Sequence, residues 1–473
     1  MQKNEYKKAS AFYLIGSLFN KGFAFLTVPI FTRILSTTDY GIVTTYNSWI
    51  SILSMVMGFA IHMGIRAAFI DYKEKIDDFV SVTTTFTLLC GGVMCLFVGG
   101  GAYLLRINVN LTLIVLCLLQ GLATALVQNY SMYLMMQYRY KFRTALMILP
   151  NLLSVGASVF AILFVVKTDL YMGRIVPTAL INVAFGLITV ALVYARSHVL
   201  YNREYLKYGL AISIPLVLHG IALNILSQSD RTMITWLADA SQTGVYSLIY
   251  NFSMIATVIT TSLDGVWVPW FTEKLKNREV KNINDLAVDY INLMTYAMVG
   301  VMLVGPEVVK LLASSKYWEG ISIIPPVVLA NYIIFAYTLY VNIEHFYKKT
   351  PCITVNTLIA AGSNLILNYI FIPLYGYVAA AYTTLFSYLL AFVLHARYAK
   401  KLEPDVYPLK SFARPFAHIL GAMIVFYLFM NEWYIRWGGL CIYLLLMFIR
   451  EWKKIVDFFP SLGYLKICGR KKK

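Results

Sequence analysis

Long apolar stretches, separated by short polar joins, recur along the chain from about residue 9 to residue 450. A hydrocarbon core about 30 Å thick requires roughly 20 apolar residues per helix. The pattern therefore predicts an all-α polytopic membrane protein with about fourteen transmembrane helices. The predicted spans are residues 9–35, 40–65, 79–105, 109–136, 144–166, 174–195, 208–229, 243–270, 284–313, 320–343, 352–373, 376–396, 413–431 and 434–450. Residues 228–242 read either as a loop or as part of a bent helix.

The composition agrees with this pattern. Of the 473 residues, 59% are hydrophobic and 13% are charged, and the mean hydropathy is +0.67. A soluble protein of this size would not have such values. The six cysteines lie mainly within apolar stretches and form no CxxC pair, so we interpret them as packing residues. The joining loops are short and carry no phosphate-loop, GxSxG or HExxH motif, so we predict no enzymatic activity, no metal site and no cofactor.

The basic residues indicate how the chain crosses the membrane. Most of the 40 Lys and Arg residues fall on alternate joining segments, on the same side as the N-terminus. Because cytoplasmic loops are enriched in Lys and Arg, both termini are predicted to be cytoplasmic. The net charge of +17 is interpreted as this topology signal. Clusters such as Lys471 to Lys473 would also attract anionic membrane lipids, whereas nothing in the sequence supports nucleic-acid binding.

An internal similarity suggests two related halves. FTRILSTTDYGIVTTYN (residues 31–47) and RTMITWLADASQTGVYSLIYN (residues 231–251) both contain a cation, an apolar segment, a polar turn, a Gly and a Tyr-Asn pair. Their spacing predicts a parallel repeat of two six-helix lobes, with residues 1–200 as the N-lobe and 201–400 as the C-lobe. Residues 401–473 would hold two further helices and a basic cytoplasmic tail. Transporters built from such repeats bind substrate between the repeats and alternate access by rocking.

Four basic residues are candidates for contact with an anionic substrate. Lys21 lies near the middle of the first apolar run, where a cation costs about 2.5–3.5 kcal/mol on insertion scales. We therefore expect a retained span that faces a polar cavity, rather than a signal peptide. Arg33 lies 12 residues further along the same predicted helix, or about 18 Å along its axis. Arg66 and Arg231, at predicted span ends, complete the substrate-binding candidates.

Acidic residues are candidates for ion coupling. Asp264, inside the eighth predicted span, is the acid placed deepest by the sequence, and Asp230, Asp289 and Glu307 lie nearer span ends. Asp230 and Arg231 adjoin, so on a helix their side chains diverge by about 100° and each is expected to find another partner. The intramembrane histidines, His395 among them, have no carboxylate at helical spacing. We interpret them as hydrogen-bonding residues at helix-packing contacts rather than as metal ligands.

Three segments resemble sequences of a known family. ASAFYLIGSLFNKGFAFLTVPIFTRILSTTDYG (residues 9–41) resembles the N-terminal signature of polysaccharide flippases, with an Asn-bearing first helix and a P-x-x-T/S-R-x-L turn. LSQSDRTMITWLADASQTGVYS (residues 226–247) resembles the family's Asp-Arg segment. NLILNYIFIPLYGYVAAAYTTLFSYLL (residues 364–390) resembles its N-x-x-L-N…P-x-Y-G segment. The resemblance implies the multidrug/oligosaccharidyl-lipid/polysaccharide exporter superfamily, with two six-helix lobes around a cationic cavity.

The same resemblance implies a substrate and partners. Family members such as the O-antigen flippases move an undecaprenyl-pyrophosphate-linked oligosaccharide across the cytoplasmic membrane, so we expect a polyprenyl-pyrophosphate-linked glycan, membrane lipids and other polysaccharide-assembly membrane proteins as partners. A multidrug exporter and a peptidoglycan-precursor flippase of the same superfamily are alternatives. A membrane polysaccharide polymerase or ligase is an alternative of another class, although its expected large outer loop is missing. A non-transporting scaffold is disfavoured by the charges at midplane depth.

Overall fold

A computed structural model describes residues 22–23, 25–104, 110–253 and 255–468 of the chain. Within these residues the chain is helical and contains no strand, as the hydrophobic pattern predicts. Lys21 lies outside the described residues. The helices are α1 Phe25–Ile34, α2 Thr37–Gly58, α3 Ile61–Asp71, α4 Ile76–Met94, α5 Gly100–Leu104, α6 Leu111–Met136, α7 Tyr140–Phe160, α8 Leu170–Tyr194, α9 Arg203–Leu237, α10 Ala240–Ser253, α11 Ile255–Lys276, α12 Val280–Leu312, α13 Ile324–Phe346, α14 Thr350–Leu402, α15 Lys410–Leu428 and α16 Trp433–Cys468.

The chain forms two compact units. The first unit comprises Met1–Val258 and Lys310–Pro404, and the second comprises Ile259–Val309 and Asp405–Lys473. Among the described residues, ten helical segments are long and apolar enough to cross a membrane. The multi-pass prediction is therefore confirmed, while the count of fourteen and the lobe boundaries at residues 200 and 400 stay predictions.

Helix α14 contains two of the predicted spans. It continues for 53 residues, but the backbone at Gly376 has φ 60° and ψ −145°, which is not helical. Only Gly adopts this conformation without strain. The break separates the predicted spans 352–373 and 376–396. The amide of Tyr377 donates to Oε1 of Gln242 at 3.1 Å, which ties the break to α10.

The sequence between α1 and α2 explains why one helix ends and the next begins at once. Oγ of Ser36 accepts a hydrogen bond from the amide of Asp39 at 3.0 Å, and the amide of Ser36 donates to Oδ2 of Asp39 at 3.2 Å. This capping box satisfies amides that the first turn of a helix leaves free. The Ser-x-x-Asp spacing in the LSTTDYG motif therefore starts α2.

The ambiguity at residues 228–242 is resolved in favour of a helix. Helix α9 begins at Arg203, where Oδ1 of Asn202 accepts from the amide of Glu204 at 2.9 Å, and it continues to Leu237. Asp230 and Arg231 therefore lie inside a helix, about two turns before its end. Their side chains point into the first unit rather than into a loop.

Helices α2 and α10 cross at two glycines that occupy matching places in the internal repeat. A Cβ atom on Gly41 would lie 1.7 Å from the carbonyl oxygen of Ala240, and one on Gly244 would lie 2.1 Å from that of Thr37. Each glycine thus contacts the residue four positions before the other. The hydroxyl oxygens of Thr37 and Ser241 also lie 2.6 Å apart. Such reciprocity is what two repeated halves related by an approximate two-fold axis would produce.

The second unit is held by a charged contact and by aromatic packing. Arg436 is fully buried, and its Nη1 lies 3.1 Å from Oε2 of Glu307 while Nη2 lies 2.5 Å from Oε1. The indole of Trp437 donates to the same carboxylate at 3.0 Å. Such a two-pronged guanidinium contact fixes geometry as well as charge. Elsewhere in this unit, Phe271 and Tyr407 stack with ring centroids 5.6 Å apart.

Candidate functional site

Arg231 is a buried cation without an acidic partner in the described part of the chain. Its side chain is 4% exposed. The guanidinium donates to the Ser227 carbonyl at 3.1 Å, to Oε1 of Gln228 at 3.0 Å and to Oδ1 of Asn251 at 3.3 Å. It also lies 4.9 Å from the centre of the Tyr250 ring. These neutral partners orient the guanidinium, and no carboxylate among the described residues hydrogen-bonds to it.

A second cation approaches the same region from the other half of the repeat. Arg174, on α8, lies 4.1 Å from the centre of the Phe31 ring and donates to Oγ of Ser158 at 3.2 Å. Both Arg174 and Arg231 are within electrostatic range of the buried Tyr40 hydroxyl. Arg174 is the first residue of the predicted span 174–195 and was not among the predicted substrate contacts. The structure instead makes it half-buried within a helix, beside α1.

Asp230 lies at the centre of a neutral hydrogen-bond network. Its carboxylate, 1% exposed, accepts from the hydroxyl of Tyr246 at 2.5 Å, the hydroxyl of Thr384 at 2.7 Å and the amide of Asn368 at 2.7 Å. Asn364 in turn donates to Oγ1 of Thr384 at 3.0 Å. The prediction that Asp230 and Arg231 find separate partners is confirmed. Within the described residues no Lys or Arg hydrogen-bonds to the Asp230 carboxylate, whose donors are two hydroxyls and one amide nitrogen.

The other predicted cations are more exposed. Arg33 lies at the end of α1, and its guanidinium donates to the carbonyl of Leu311 at 3.3 Å. Arg66 lies on α3 and is exposed. In the described ranges, no hydrogen bond joins Arg33, Arg66 or Arg231 to another of the three. Lys21 cannot be compared with them, because it lies outside those ranges, and the role of all four residues stays a prediction.

The remaining predicted acids have less enclosed positions. Asp264 is half-buried, and the hydroxyl of Tyr290 donates to it at 3.4 Å, which is a weak contact. Asp289 is also half-buried. Glu307 contacts Arg436, which gives it a structural partner. Asp230 and Glu344 are more completely buried than Asp264, while the depth of Asp264 in the membrane stays a prediction.

Sequence reasoning missed one buried acid altogether. Glu344, at the end of α13, is 0% exposed, and its Oε2 lies 2.8 Å from Nδ1 of His395, which is 1% exposed. The two residues are 51 positions apart, so spacing within one helix carries no signal of their contact. The expected role of His395 as a hydrogen-bonding residue at a helix contact is confirmed, although its partner was not foreseen.

An apolar groove lies along the same helix as part of the Asp230 network. Its volume is about 470 Å³. The lining residues are Leu367, Phe371, Tyr375, Val378, Ala379, Tyr382, Thr383 and Phe386. Thr383 also donates from its hydroxyl to Oδ1 of Asn368. Thr383 therefore belongs both to the lining of the apolar groove and to the hydrogen-bond network around Asp230.

The sequence segment that carries Arg33, Arg66 and Arg231 matches a known family. The family described as Polysaccharide biosynthesis protein matches residues 7–274, more than half of the chain. The chain belongs to this family. In Haemophilus influenzae, Lsg locus putative protein 1 is similar over 378 residues with 21% identity, covering 76% of this chain and 91% of that protein.

Solved structures agree with the fold predicted from the family resemblance. The chain is similar to the Lipid II flippase MurJ in an inward closed conformation, with a TM-score of 0.71, 16% identity, and coverage of 94% of this chain and 99% of that one. It is also similar to an inward-facing multidrug resistance MATE transporter, with a TM-score of 0.59, 13% identity, and coverage of 83% and 98%. The chain is thus a multi-pass membrane protein with the transporter fold of the predicted superfamily.

Proposed function

We propose that the protein flips an undecaprenyl-pyrophosphate-linked oligosaccharide across the bacterial cytoplasmic membrane by alternating access. The glycan would be an O-antigen, capsule or exopolysaccharide repeat unit. The sugar and pyrophosphate enter a cationic cavity between the two lobes, while the polyprenyl tail stays in lipid. Both termini are cytoplasmic in this proposal. Flipping breaks no covalent bond, so the protein needs no catalytic residue.

The observation that carries this proposal is the buried guanidinium of Arg231, which hydrogen-bonds only to neutral groups among the described residues. Burying a guanidinium without an acidic partner is costly. A pyrophosphate that enters the site would offset this cost, because a planar guanidinium binds phosphate oxygens with two parallel hydrogen bonds. Arg174 would add a second positive charge from the N-lobe. A cationic drug would be repelled by the same charges, which disfavours the multidrug alternative.

Ion coupling is assigned in this proposal to Asp230. Hard cations bind oxygen ligands, and the Asp230 carboxylate on α9 lies beside the hydroxyl oxygens of Tyr246 on α10 and Thr384 on α14. Binding of a cation at the carboxylate would bring these helices together. Asp264, Asp289 and Glu307 remain weaker candidates because they are less enclosed or already have a structural partner.

The experiment uses the purified full chain in proteoliposomes with a pyrophosphate-linked oligosaccharide on one leaflet. Arg231→Gln should reduce the flipping rate at least tenfold, equivalent to about 1.4 kcal/mol of lost stabilisation. Lys316→Gln is the matched control, because it removes the same charge from an exposed position, and it should flip at the wild-type rate. Wild-type flipping by Arg231→Gln, with normal insertion of both variants, would overturn the proposal.

A second candidate function is flipping of a lipid-linked peptidoglycan precursor. The structural similarity to the Lipid II flippase, which is greater than that to the MATE transporter, favours this candidate. Both substrates present a pyrophosphate, so Arg231→Gln would affect both. A direct competition between the two lipid-linked substrates in the same vesicles separates them: preferential flipping of the peptidoglycan precursor would replace the first candidate with the second.

A further inference from the structure

Glu344 and His395 form a buried contact that the proposed translocation does not use. They come from α13 and from the second part of α14, and neither is more than 1% exposed. Oε2 of Glu344 contacts His395, but Oε1 has no hydrogen-bond partner among the described residues. An ionised carboxylate normally has both oxygens satisfied when it is buried. This half-satisfied state is therefore unfavourable for a permanent charge.

Proton occupancy resolves this difficulty. With one proton on the Glu344 carboxyl, which donates it in the hydrogen bond to Nδ1 of His395, both the carboxyl and the imidazole are neutral. Without that proton the site has a net negative charge, and with a second proton a net positive charge, and both states are costly away from water. A buried site therefore favours one proton, and a site opened to water can release it.

Few other titratable groups surround this contact. On α13, His345 is within electrostatic range of both residues, and the ring of Tyr337 stacks on that of His395 with centroids 5.5 Å apart. On α14, the titratable neighbours are Cys352 and Tyr398, with Lys401 close to Cys352. Among these groups only Lys401 carries a permanent charge. No second carboxylate is among them, so Glu344 and His395 are the groups that would hold the proton.

We propose that Glu344 and His395 form a proton-binding site that loads and releases one proton during each transport cycle. This proposal rests on the proposed transport function. Glu344 lies two residues before the end of α13, and Lys348 and Lys349 follow it. Release transfers the shared proton to water at this end of the helices and leaves a carboxylate and a neutral imidazole. Uptake reverses the step.

A continuous set of tyrosines connects this site to Asp230. Tyr337 stacks on His395 and on Tyr388, the latter with centroids 6.3 Å apart. The hydroxyls of Tyr388 and Tyr250 hydrogen-bond to each other. The Tyr250 ring lies 5.7 Å from that of Tyr246, whose hydroxyl donates to Asp230. Packed contacts of this kind can transmit a rearrangement from one site to the other.

Infrared difference spectroscopy on the purified full chain in lipid vesicles tests proton binding without any substrate. The wild type should show a protonated-carboxyl absorption that disappears as the pH rises, and this absorption should be missing in Glu344→Gln. Its midpoint should move in His395→Asn, because the two groups share the proton. A Glu344→Gln spectrum that titrates as the wild type does, or a midpoint that His395→Asn leaves unchanged, would overturn the proposal.

A transport measurement tests coupling. An imposed pH gradient should stimulate wild-type flipping, and this stimulation should be lost in Glu344→Gln and in His395→Gln. The second variant keeps a polar side chain and serves as the test if the first variant folds poorly. Glu403→Gln is the matched control: Glu403 is 6% exposed, accepts from the Tyr347 hydroxyl and lies in the same compact unit. Retained stimulation in both test variants contradicts coupling. If the wild type flips no glycan while the carboxyl still titrates, the proposed function fails and the proton site stands.

Discussion

Asp230 and Glu344 are both buried acids of the first unit, but their surroundings differ in one respect. Both oxygens of Asp230 accept from neutral donors, and other oxygen atoms lie beyond them. One oxygen of Glu344 contacts an imidazole and the other has no partner in the described part of the chain. Donors that cannot lose a proton stabilise a fixed charge, whereas a titratable partner permits exchange. Burial alone therefore does not define the role of an acid; the chemistry of its partner does.

Glu307 provides a third case, an acid whose partner is a permanent cation. Arg436→Met should remove that partner and leave Glu307 uncompensated, so we expect destabilisation of about 3 kcal/mol, at the lower end of the range for breaking a buried charged pair. Thermal unfolding in detergent measures this. Arg450→Met is the control, because Arg450 is more exposed and lies 3.9 Å from its acid. Equal unfolding midpoints for the two variants would show that the contact between Arg436 and Glu307 contributes no more stability than the exposed pair of Arg450, and would contradict its structural role.

A substitution at the crossing of α2 and α10 can test whether Asp230 and Glu344 respond independently. Gly244→Val should force the helices apart and displace Tyr246 from Asp230, at a cost of about 1–3 kcal/mol for overpacking. Gly362→Val is the control, since a Cβ there has no neighbour within 4 Å. The protonated-carboxyl absorption assigned to Glu344 should survive Gly244→Val. Its loss would mean that the two acids respond as one site.

Asp230→Asn tests whether the charge of Asp230 has a role separate from that of Glu344. We expect stimulation of flipping by a cation gradient to fall about tenfold, or about 1.4 kcal/mol, because an amide keeps the shape of the side chain but not its charge. Vesicles with imposed Na⁺ or pH gradients separate the two couplings. Stimulation by the pH gradient should persist, and a variant that loses both responses would contradict separate roles.

The smallest effect is expected at an exposed ion pair. Lys274 lies 2.8 Å from Glu279, and this contact lowers the pKa of the Glu279 carboxyl. The pair therefore stabilises the protein above the ordinary glutamate pKa, and the contribution disappears as the pH falls through the lowered value. Lys274→Met should change the neutral-pH unfolding midpoint hardly more than Lys276→Met, an exposed control. A difference that grows at low pH would reverse the expected sign.

The sequence predicted the elements better than it predicted the contacts between them. Hydrophobic periodicity gave the multi-pass helical fold, and the PLYGY motif marked the break at Gly376. Helical geometry also predicted that Asp230 and Arg231 would diverge, because this depends only on their adjacency. Glu344 and His395 were missed because they lie on different helices. Arg174 was missed because its place near a predicted span end suggested an interfacial side chain, whereas α8 begins four residues earlier and directs it toward Phe31.

The contact between Gly41 and Gly244 has a consequence for how easily the molecule moves. Where bulky side chains interlock, separating two helices exposes hydrocarbon to water, and this opposes the motion. At this crossing the contact is made by backbone atoms and by the hydroxyls of Thr37 and Ser241, all of which water can solvate. Separating the helices at this crossing would therefore expose mainly polar groups, which suits a joint that opens and closes in the proposed transport cycle.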